Sequence, residues 1–137
     1  MAGSTKSTKS DAEKSYDDIV REVRGHDRIV IDDGEREYVL RYPMRTIRQM
    51  EHDGVTPATA GEMLDGTLTG AEEFVEKFVM PAFQAEQPGI KLDEVTRVWE
   101  SVPDKATAIA YLSVLFAQPT LALTTDPTET RAKFRLI

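Results

Sequence analysis

Two histidines, each followed by an aspartate, are the first residues to test for chemistry: His26-Asp27 and His52-Asp53. Imidazole beside carboxylate is a donor set that a divalent transition metal accepts. Both pairs, however, sit beside a glycine, Gly25 and Gly54, at what reads as an element boundary, where polar residues are ordinary. Asp32-Asp33-Gly34-Glu35 has the acidic density of a calcium loop but lacks its regular oxygen spacing and distal Glu. Turn chemistry accounts for it. Glu72, Glu73 and Glu76 offer carboxylates for acid–base work, yet they fall on the wet side of a helix near its N-terminus, where the helix dipole favours them. There is no Cys, no glycine-rich phosphate loop and no Ser in a nucleophile-elbow setting. These residues assign no catalytic group, no metal and no cofactor.

Side chains for binding a partner are easier to find. Arg41, Arg45 and Arg48, with Arg131, Lys133 and Arg135, form a basic area if the last segment pairs beside the first strands. The bland reading is the solvated side of a sheet; the sharper one is a docking surface for an acidic or helical partner. Phe74, Phe78, Phe83 and Trp99 are core residues first, and any part of that stripe left exposed would be a partner site.

Composition sets the frame for these side chains. A chain of 137 residues with 40% hydrophobic and 30% charged residues is ordinary for one soluble domain with one core. The absence of Cys suits a reducing cytoplasm. The net charge of −7 argues against a general nucleic-acid binder. No apolar run approaches membrane-spanning length, and the N-terminus has no apolar signal core, so no membrane partner is expected.

The elements that position these residues follow from pattern. Residues 1–14 are Ser, Thr, Lys and Gly with few apolar side chains and read as a disordered tail. Tyr16, Ile19, Val20 and Val23 recur at helical spacing before Gly25, so residues 1–25 form a flexible or partly helical extension. Residues 26–137 form a single α+β domain. Within it, 28–31 and 37–42 are β-rich runs around an Asp-Gly turn, the signature of a tight hairpin. Pro43 then opens a helix whose Met44, Ile47 and Met50 face inward and which Gly54 closes. Residues 55–69 read as a mobile connection with a short helix from Pro57 to Leu64.

Three helices follow. Residues 69–85 carry Phe74, Val75, Phe78, Val79, Ala82 and Phe83 as one stripe, bent by Pro81. Residues 92–102 carry Val95, Val98 and Trp99 on one side. Residues 105–117 are apolar almost all round, as in a central core helix, with Pro119 as the break. Residues 131–137 alternate Ala132, Phe134 and Leu136 against Arg131, Lys133 and Arg135, and read as a closing strand paired with the hairpin. An unpaired edge of the hairpin is a natural place for oligomerisation. The fold class is therefore α+β, a small N-terminal hairpin plus a C-terminal strand packed with a mainly helical core.

The order hairpin, Pro, short helix reading RQMEHDG, mobile loop, helices and terminal AKFRLI resembles the tail assembly chaperones of siphovirus-type bacteriophages and prophages. The resemblance covers residues 28–137. It rests on the strand-to-helix run REYVLRYPMRTIRQME, the helix end Glu51-His52-Asp53-Gly54 and the alternating last segment. It implies a non-enzymatic chaperone of viral tail morphogenesis. Such a protein coats the tape measure protein, keeps it soluble, helps recruit tail tube subunits, often self-associates, and stays in the host cell cytoplasm rather than the virion. The family often makes a longer product by frameshifting.

The rival reading is a structural phage tail accessory or another small protein-interaction module. For the chaperone, apolar grooves beside helices 74–83 and 92–102 would take a long amphipathic client helix, with 55–69 as a cover.

Overall fold

The computed structural model describes residues 15–127 and 132–137; the tail expected over residues 1–14 and Arg131 lie outside that set. The chain is mainly helical, with one two-stranded antiparallel sheet among the described residues.

Ser15 caps helix α1 (Tyr16–Val23) by accepting from the Asp18 amide at 3.2 Å, with Asp17 and Asp18 in the first turn. The helix ends where Gly25 takes a φ of 84°. Strands β1 (Ile29–Asp32) and β2 (Glu37–Leu40) pair in the register Ile29↔Leu40, Val30↔Val39, Ile31↔Tyr38 and Asp32↔Glu37. The turn between them needs a positive φ only at Gly34. Asp32 Oδ1 accepts from the Gly34 amide, and Asp33 Oδ1 from those of Glu35 and Arg36, at 2.8 to 2.9 Å. The acidic residues are therefore part of the turn itself.

Helix α2 (Met44–His52) buries Ile47 and Met50, and helix α3 (Pro57–Met63) follows with a reciprocal Thr56–Thr59 capping box. The short helix expected from Pro57 to Leu64 is present, and the rest of the connection makes a tight corner. Thr67 caps helix α4 (Leu68–Phe74), and a Cβ on Gly70 would lie 2.1 Å from the Met63 carbonyl oxygen. Bulk is excluded there, and the two helices are held against each other.

Helix α4 runs into a π-helical turn, Val75–Val79, and then helix α5 (Met80–Gln84). The Met80 amide reaches back five residues to the Val75 carbonyl. In regular α geometry the Pro81 ring would press on the Lys77 carbonyl; the wider turn just ahead of it relieves that clash. Helix α6 (Leu92–Glu100) packs on the π turn and α5, while β2 packs on α5.

The last helix, α7 (Lys105–Thr124), is capped by Asp104 and covers 20 residues. It does not stop at Pro119, where the sequence places a break. Thr124 and Thr125 hydroxyls donate to the Thr120 and Leu121 carbonyls and satisfy part of the final turn. As a result α7 is long and apolar enough, by length and composition, to cross a membrane, which the sequence reading did not foresee. Its apolarity has two origins. Ala108, Leu112, Val114, Leu115 and Phe116 enter the core, whereas residues 120–124 face solvent.

The core joins every layer. Tyr38 and Leu40 of β2 meet Phe74, Phe78, Val79, Ala82 and Phe83, then Val95, Val98 and Trp99, then Leu112 and Phe116. Ile19 and Val23 of α1 belong to the same cluster, and α1 lies on α7. Each large apolar side chain buried this way contributes about 1.5–3 kcal/mol.

The closing strand is not formed. Residues 132–137 make no ladder with the hairpin and are exposed throughout. Of the two edges the hairpin could offer, that of β2 is already sealed. Gln87 accepts from the Val39 amide at 2.8 Å and donates to its carbonyl at 2.9 Å, and the Arg41 amide donates to the Ala82 carbonyl at 3.2 Å.

Candidate functional site

The seven side chains picked from the sequence do not form one site. Phe74, Phe78, Phe83 and Trp99 are all buried. Phe74 and Phe78 meet at a tilt with ring centres 5.4 Å apart, Tyr42 contacts Phe78 at 5.6 Å and Phe116 at 5.3 Å, and Phe83 meets Tyr38 edge-on at 5.7 Å. These contacts are core packing and leave no aromatic face for a partner. The buried Tyr42 hydroxyl donates to the Phe78 carbonyl, and burial holds its pKa well above the usual tyrosine value.

The arginines separate as well. Arg45 and Arg48 share the exposed side of α2, while Arg41 is tied to Glu86 by a 2.7 Å ion pair. Lys133 and Arg135 lie on the exposed last segment. The basic area that depended on a closing strand is not assembled.

The metal candidates read as structural. Asp27 pairs with Arg28 at 2.9 Å, and the Asp53 carboxylate accepts from Gln49 at 3.1 Å. Glu73 pairs with Lys77 at 3.2 Å. Among the described residues no three His, Asp or Glu side chains gather as a metal site.

A polar cluster that pattern reasoning missed clamps the hairpin to α6. The Tyr38 hydroxyl donates to Glu94 Oε2 at 2.7 Å, Arg36 pairs with the same oxygen at 3.3 Å, and Arg97 reaches Asp33 at 3.3 Å. The Arg36 guanidinium sits 4.2 Å from the centre of the Tyr38 ring. Burial, then the bond to Glu94, raises the Tyr38 pKa. Backbone amides of Arg36 and Glu35, with Arg97 added, lower that of Asp33. The partners are 56 to 64 residues apart in sequence, so no local signal announces them.

Two open surfaces stand out among the described residues. One is a groove of about 910 Å³ between α1 and the second half of α7, lined by Val20, Val114, Leu121 and Ala122 with Arg24, Gln118 and Asp126 at its polar positions. The Gln118 amide donates to the Val23 carbonyl at 3.3 Å and Tyr111 to Glu22 at 2.9 Å, which fixes the distance between the two walls. Leu121 is exposed in its wall, whereas Leu123, two residues on, is exposed on the other side of the helix. The other surface, of about 320 Å³, lies between β1 and the start of α7. Neither groove is lined by Phe74, Phe78 or Phe83, beside which the client site was expected, nor by the connection proposed as its cover.

No protein-family model, no curated protein and no solved structure matches this chain.

Proposed function

We propose that this protein is an assembly chaperone of the phage-tail type. In this reading it has no catalytic role. It binds the tape measure protein through an amphipathic helix of that client, keeps it soluble in the host cytoplasm, and helps recruit tail tube subunits. The observation that carries the reading is the solvent-facing, apolar second half of α7 standing against α1. Two helices with an apolar floor and a polar rim are a cradle for a third helix. Leu121 would supply an anchor, and the net charge of −7 would keep the loaded complex dispersed.

The test is co-expression with the tape measure protein of the same tail operon. The client is expected to stay soluble and co-purify with this chain, and Leu121→Asp with Ala122→Asp is expected to abolish both effects without unfolding the protein. An unchanged client and no co-purification would reject the reading. Stoichiometric recovery of this protein from purified virions would replace it with a structural tail role.

A further inference from the structure

The two edges of the small sheet are treated differently. The β2 edge is closed by the Gln87 amide on both polar atoms of Val39. Because the Val39 groups point away from β1, the pair Val30↔Val39 is not hydrogen-bonded across the sheet. The amide and carbonyl of Val30 therefore point outward from β1, as do those of Asp32. No strand or side-chain plug covers that edge among the described residues. Beside it runs the smaller groove, with Ile29, Ile31, Val102, Pro103, Ala108 and Tyr111 in its wall. An open edge next to an apolar trough is the receiving half of a strand-addition site.

The inserting half is on the same chain. Residues 132–137 alternate apolar and basic side chains, with Phe134 and Leu136 exposed at 94% and 96%. In an added strand Ala132, Phe134 and Leu136 would turn into the trough. Lys133 and Arg135 would then lie on the outer face, where Asp32 and its cross-strand neighbour Glu37 stand. Opposite charges on neighbouring strands favour that register. The chain does not use this segment on itself: Ala132 lies at the other groove, near Val20 and Arg24, and no third strand forms.

We infer that the edge of β1 receives residues 132–137 of a second copy, the two copies exchanging segments about a twofold axis. This dimer rests on a different groove from the proposed client site, which loses Ala132 from its lining on exchange, and its test reads mass rather than client binding.

Light scattering on the full-length protein tests the inference. The wild type is expected at twice the 15.3 kDa monomer mass. Phe134→Asp with Leu136→Asp should give monomers with an unchanged circular dichroism spectrum, since these side chains touch no core residue. Val30→Pro, which removes an outward amide, should do the same. Mixing the two monomeric variants should restore a one-to-one dimer, because one supplies the edge and the other the segment. A dimer that survives the segment variant overturns the inference. So does a wild-type monomer, including one whose Val30 and Asp32 amides are protected from hydrogen exchange by its own segment. Should Val30→Pro fail to fold, the segment variant alone decides.

Discussion

At the scale of single residues, Gln87 has the most to explain, because one amide closes a sheet edge and also donates to the Phe83 carbonyl at 2.6 Å. Gln87→Glu keeps the shape but loses both donations and sets a charge against two carbonyls. The expected cost is about 1–3 kcal/mol of unfolding free energy, read from urea denaturation and partly recovered as acidification protonates the new carboxylate. An unchanged midpoint would mean that water replaces the amide. Nothing in the sequence points to Gln87, since its partner Val39 is 48 positions away. The Asp32-Asp33-Gly34 turn is the opposite case. Its hydrogen bonds span two or three residues, so composition alone reveals it.

At the scale of elements, the same division between local and distant causes decides what could be read. The hairpin follows from its turn residues, and α2 and α6 from the periodicity within each segment. The second half of α7 does not, because the local rule that proline ends a helix is overridden. Pro119 leaves the Leu115 carbonyl without its helical donor, yet the helix continues to Thr124. Proline in a helix interior costs about 3 kcal/mol relative to alanine. Pro119→Ala should therefore raise stability by about 1–3 kcal/mol, with slower amide exchange over residues 119–124. If client binding depends on a yielding helix end, the same variant will bind more weakly while melting higher. The closing strand fails for a complementary reason. Alternation specifies a strand's two faces but not which edge receives it: β2 offers none, and the chain leaves the edge of β1 unfilled by its own last segment.

At the scale of the whole molecule, the N-terminal helix changes meaning. Its sequence suits a helix of eight residues, too short to persist alone in water. Its stability must come from α7, through buried Ile19 and Val23 and the bonds from Tyr111 and Gln118. The larger groove therefore has one wall that exists only while docked. Ile19→Ala should cost about 2–5 kcal/mol if α1 unfolds together with the core. If α1 opens as a separate unit, the global midpoint will barely move and its amides alone will exchange faster. The two outcomes predict different binding. Cooperative unfolding leaves client affinity intact in whatever fraction remains folded. Separate opening weakens affinity at temperatures where the core is still native, because Val20 and Arg24 leave the groove together. Hydrogen exchange and binding, measured on the same Ile19→Ala protein, distinguish a rigid cradle from one whose wall closes onto its client.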